Sequence, residues 1–112
     1  GQLYGNRDAG SMVNNANPYW FSYPGYNEIF TGFPDTLVNS NDKIPNRHLN
    51  VLEYLNTLPG FSGKVAAFTS WEVFDAILNE QRSKILVNAA YDSLPGRLQS
   101  DPVLRAIDLG WI

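Results

Sequence analysis

Two short apolar runs, Gly63-Lys-Val-Ala-Ala-Phe-Thr69 and Ile85-Leu-Val-Asn-Ala89, constrain this chain more than any other feature. Neither alternates polar with apolar residues, and the first has the look of a strand covered on both faces in a parallel sheet. Between them Trp71, Phe74, Ile77 and Leu78 fall at three-and-four spacing, which predicts a helix capped by Thr69 or Ser70 and broken at Arg82-Ser83-Lys84. Trp71 and Phe74 are expected to face the core. Strand, helix, strand in that order is the grammar of an α/β fold.

The rest of the chain extends the alternation. Phe21-Ser22-Tyr-Pro-Gly-Tyr-Asn-Glu-Ile-Phe-Thr31 predicts a helix of about two turns, because proline is tolerated in a first turn and Gly32 with Pro34 is a stop. Leu49, Leu52 and Leu55 predict a second helix, capped by Asn46 and ending near Thr57 ahead of Pro59-Gly60. Ser100-Asp101-Pro102 opens a last helix through Val103, Leu104, Ile107 and Leu109. Gln2-Leu3-Tyr4-Gly5 reads as the tail of a strand, Asn6 to Asn17 and Asp35 to Pro45 as loops, and Tyr19-Trp20-Phe21 as an aromatic knot buried on the core, with stacking on a ligand as the alternative. The fold expected over residues 1–112 is a partial doubly wound, mostly parallel sheet flanked by helices. Two or three strands make a thin sheet with open edges, through which self-association is expected.

Composition narrows the function classes. With 44% hydrophobic and 17% charged residues, the 112-residue chain is globular and holds at most one domain. A net charge of -3 argues against a nucleic-acid surface, and no apolar run reaches the roughly 20 residues of a membrane span. There is no cysteine, and His48 is the lone histidine, so a self-contained zinc site would rest mostly on carboxylates, an unusual set. His48 is expected at the surface. Asp35 and Asp42 lack the spacing of a calcium loop, and no dinucleotide or P-loop glycine pattern occurs.

Ser22 is the sharpest chemical candidate. At a helix mouth, unpaired N–H groups and the helix dipole favour an anion such as phosphate, and a serine there can be a nucleophile when a base or metal activates it. The plainer reading, a serine that caps its helix, is favoured by spacing alone. No Gly-x-Ser-x-Gly elbow supports an acyl-transfer hydrolase. Asn39-Ser40-Asn41-Asp42 offers amide donors for a phosphoryl oxygen, or simply turn chemistry.

The ungapped stretch Ser22-Tyr-Pro-Gly-Tyr-Asn-Glu-Ile-Phe-Thr-Gly32-Phe-Pro-Asp35 resembles the nucleophile segment of the alkaline phosphatase superfamily, above all its nucleotide pyrophosphatase/phosphodiesterase branch. Asn39 to Pro45 and Gly63 to Trp71 look like phosphatase- or sulfatase-like members, and the resemblance runs from about Gln2 to Ala90. It implies that Ser22 is the catalytic nucleophile and touches one or both of two divalent metals, zinc or manganese. It also implies that Asn39 or Asn41 contacts the substrate, a phosphate or sulfate ester, and it points to a periplasmic or secreted setting. The family's metal ligands are an upstream Asp and downstream Asp and His residues, which this stretch lacks. The expectation is therefore a segment of a metal-dependent phosphoester hydrolase that binds metal weakly and turns over little alone. The alternatives are a non-catalytic interaction module and a simple anion-binding fragment.

Overall fold

In the computed structural model residues 4–110 are described. The described chain begins irregularly. Of the strand tail expected at the start, Gln2 and Leu3 lie outside the described residues, while Tyr4 and Gly5 join no strand. A bridge between Asn6 and Ser11 closes a tight turn over Arg7–Ala9.

Helix α1, Ser22–Thr31, forms where its residues predict it. Phe21 holds the extended cap position, Ser22 is the first helical residue, and Pro24 lies in the first turn, where its missing N–H costs nothing. Gly32 ends the helix at φ 83°, its N–H bonding the Glu28 carbonyl. That left-handed conformation is one glycine adopts freely. The aromatic knot ahead of α1 does not bury. Trp20 is 100% exposed and Phe21 is exposed, and only Tyr19 is partly covered, its hydroxyl donating to the Thr36 carbonyl at 2.9 Å. Tyr23, Tyr26 and Phe30 take the places against the core instead, leaving the knot no face to cover.

Helix α2, Val51–Thr57, ends as expected but starts five residues after Asn46. Asn50 is the cap, accepting from Glu53 N–H at 2.8 Å, because Asn46 is drawn into the interior to donate to Asn27 Oδ1 at 2.9 Å. The leucine stripe divides: Leu52 packs against the core and Leu55 is partly buried, but Leu49 is exposed, and the fully buried residue of α2 is Glu53.

Strands β1, Ala66–Thr69, and β2, Leu86–Ala89, pair in parallel with Ala66 opposite Leu86 and Thr69 opposite Ala89. Helices with a two-stranded parallel sheet make the described fold mixed α/β. β1 is not covered on both faces, however. Its residues alternate, and Phe68 stands 62% exposed. The crossover helix is also shorter than its stripe predicts. It splits into α3, Phe74–Ile77, and α4, Glu80–Ser83, because Asn79 enters the left-handed region at φ 47°. Asparagine tolerates that conformation. Val73 takes the cap position of α3, and the Thr69 hydroxyl instead bonds the Trp71 carbonyl. Lys84, also left-handed at φ 58°, closes α4.

The core lies between α1, α3 and β2, built on Tyr23, Phe74, Ile77, Leu78, Ile85 and Val87. Tyr26 meets the Phe74 ring edge-on at 4.6 Å, and Trp71 packs against the same ring. Two further helices follow β2: α5, Gly96–Gln99, which no sequence signal marked, and α6, Pro102–Asp108. α6 opens at Pro102 as expected, and Asp101 caps it, its carboxylate accepting from the Val103 and Leu104 N–H groups.

Candidate functional site

The mouth of α1 is assembled from two parts of the chain. Ser22 is exposed at the first helical position, and its hydroxyl makes no hydrogen bond among the described residues. It is therefore not the cap that its sequence context suggests. That work falls to Asn41, whose Oδ1 accepts from the Tyr23 N–H at 2.9 Å. A first-turn N–H has no partner within its own helix, so a side chain from elsewhere must supply one. With its oxygen engaged there, the Asn41 amide keeps its N–H groups free to donate.

Tyr23 fixes this arrangement from beneath. Its buried hydroxyl donates to the Ile44 carbonyl at 2.6 Å and lies 3.4 Å from that of Ala76. Burial pushes the phenol up to about 12, so it remains a donor throughout the ordinary pH range. Backbone and side chain of one residue thus hold both ends of the Asn41–Ile44 stretch.

On the other side of the mouth, Glu28 reaches back from α1 to the preceding loop. Its carboxylate accepts from the Ala16 N–H at 2.9 Å, from the Asn17 N–H, and from Asn17 Nδ2 at 2.8 Å. These donors, the Ala16 amide first, hold the Glu28 carboxyl below its ordinary value.

Loop 35–48 is closed at its base by a cluster that the sequence reading missed. Asp35 Oδ2 receives Arg47 Nη2 at 2.8 Å and His48 Nε2 at 2.6 Å, while Oδ1 accepts from the Leu37 N–H at 2.9 Å. The Leu37 amide first, then His48 and Arg47, hold the Asp35 carboxyl below the usual range. His48 is partly buried rather than a surface residue, with Phe33 edge-on to its ring at 4.8 Å. Lys43 ties the far side of the loop to Asp75 of α3 at 2.8 Å. Asp35 lies 12 residues ahead of Arg47, a separation with no helical or strand period to announce it.

The candidate residues are therefore only partly brought together. Asn41 sits at the helix mouth next to Ser22, joined through the Tyr23 amide. Asn39 is exposed on a cleft of about 320 Å³ that Tyr23, Asp35 and Arg47 also line, whereas Ser22 opens on a separate cleft of about 300 Å³ beside Trp20. Asp42 turns inward on its own loop, accepting from the Ser40 hydroxyl at 2.8 Å, and forms no pair with Asp35. Among the described residues no three His, Cys, Asp or Glu side chains converge as a metal site. The donor set does not fit the two-metal centre that the resemblance implies.

No protein-family model matches the chain, no curated protein matches it, and no solved structure matches it. No helix among the described residues is long and apolar enough to cross a membrane.

Proposed function

We propose that Ser22 is the nucleophile of a phosphoester hydrolase of alkaline-phosphatase-like design, and that this chain is the nucleophile-bearing segment of its doubly wound domain. One observation carries the reading: an exposed serine hydroxyl with no hydrogen bond among the described residues opens a ten-residue helix whose mouth also holds the Asn41 amide N–H groups, likewise without an acceptor among them. A hydroxyl engaged in capping would be unavailable for attack. Here Asn41 relieves it of that task.

The chemistry follows from the placement. The positive end of α1 and the Asn41 amide favour the anionic phosphoryl oxygens. Ser22 Oγ forms the new bond to phosphorus, the ester P–O bond opposite breaks, and water later releases the phosphoryl group from serine. Groups that take the serine proton and hold the leaving oxygen are not gathered by the described residues. Zinc or manganese would need ligands from other parts of the parent protein, and the segment alone is expected to turn over little. The test is Ser22→Ala in the full-length protein, assayed on phosphomonoesters, phosphodiesters and sulfate esters with either metal added. The expected loss is at least about 1,000-fold in kcat on the best substrate, the scale of removing a group that reacts covalently. Undiminished turnover would overturn the assignment.

A second reading, an interaction module that pairs through its surface, is favoured by the open two-stranded sheet and by Phe68 exposed on it.

A further inference from the structure

Asp35 stands at one end of loop 35–48 and its two partners, the Arg47 guanidinium and the His48 ring, at the other, so one carboxylate draws the ends together. The tip of the same loop supplies Asn41 to the Tyr23 N–H, the peptide that follows Ser22. Asn41 is itself exposed, and its one bond to α1 holds only while the loop keeps its shape. The Tyr23 hydroxyl bond to Ile44 and the Lys43–Asp75 pair secure the return limb, and on the outgoing limb Tyr19 bonds the Thr36 carbonyl and Val38 packs against the core, so the base cluster adds the closure that joins the two limbs.

We propose that Asp35 is a positioning residue: by clamping Arg47 and His48 it closes loop 35–48 and seats Asn41 on the mouth of α1 beside Ser22. The consequence for catalysis rests on the reading of Ser22 given above, while the seating of the loop does not. Asp35→Asn is the informative change. An amide oxygen can still accept from the Leu37 N–H, but the charge that holds Arg47 is gone and the carboxylate oxygen bonded to the His48 ring is lost or replaced by an amide. Arg47→Ala removes the exposed partner without touching the interior.

The readout is hydrogen exchange at the Tyr23 amide, followed by NMR. That N–H has no acceptor within the helix, so its protection reports the seat of Asn41 alone. Both variants are expected to speed its exchange by about tenfold or more while Glu28 and Phe30, deeper in α1, keep their rates. In the full-length enzyme the same variants are expected to raise KM for a phosphomonoester several-fold more than they lower kcat. Unchanged Tyr23 exchange in both variants would overturn the proposal, as would equal acceleration along the whole of α1. If Asp35→Asn does not fold, Arg47→Ala decides by the same criteria. A wild-type enzyme inactive on phosphoesters would sink the reading of Ser22 and leave the loop clamp standing. An active one with KM unmoved in both variants would sink the clamp's part in the site.

Discussion

The interior of this molecule is fastened by amides to an unusual degree. Asn27 donates to the Phe33 carbonyl and accepts from Asn46, Asn50 donates to the Leu78 carbonyl, and Asn79 donates to the Asn46 carbonyl. Arg82 joins them, bonding the Asn46 and His48 carbonyls while its fork grips Glu53 at 2.8 Å. Asparagine in a sequence reads as turn chemistry, and that bias explains why Asn46 was expected to cap a helix. Little that is local distinguishes a buried Asn from an exposed one, since apart from the Phe33 carbonyl the partners lie 19 to 33 residues away. Glu28 is a residue-scale anchor with a clear pH signature. Its folded-state value is depressed, so its contribution is complete above the ordinary value of 4.5 and fades as pH falls below it. Wild type should therefore exceed Glu28→Gln in thermal stability at neutral pH, and the gap should narrow steadily in acid. A gap of constant size from pH 7 to about pH 3 would contradict this.

At the scale of elements, the sequence was most legible where a single residue's geometry decides. Gly32 and the Asp101-Pro102 pair mark the end of α1 and the start of α6 as written. It was least legible where two signals compete. The spacing of Trp71, Phe74, Ile77 and Leu78 argues for one helix, but Asn79 and Lys84 both adopt positive φ and cut the crossover in two. Those turns aim Leu78 into the core while sending Arg82 back to Glu53. At the candidate site, Ser22 and its helix mouth were visible from local sequence, whereas the Asn41 cap and the Asp35 clamp depend on loop closure. Lys84 carries a left-handed strain that glycine would not. Lys84→Gly is expected to stabilise the protein by about 0.5–1 kcal/mol, read as a higher urea midpoint at unchanged slope. A lower midpoint would show that the lysine stem contributes more than its backbone costs.

The whole molecule is looser than its length requires. Its radius of gyration is 16.8 Å, against about 13 Å for a compact chain of this size. Val103, Leu104, Ile107 and Leu109 leave the apolar side of α6 exposed, and Phe68 and Trp20 add apolar surface elsewhere. Among the described residues no third strand pairs with the two, although the Glu80 and Asp92 carboxylates accept from the Val87 and Ala89 N–H groups of β2. The expected behaviour in solution is concentration-dependent association. Light scattering coupled to size exclusion should give masses rising above 12.5 kDa as the protein is concentrated. A constant monomer mass would remove the support for the interaction-module reading.

The tyrosine beneath the helix mouth also bears on the order in which this chain assembles. Its hydroxyl meets carbonyls 21 and 53 residues along the sequence, so neither bond can form until large loops have closed. The turns of α1 are local and need no such delay. Completion of the mouth therefore waits on loop closure, and in any α1 wound before that closure the serine is already in helix while its neighbouring amide still faces water.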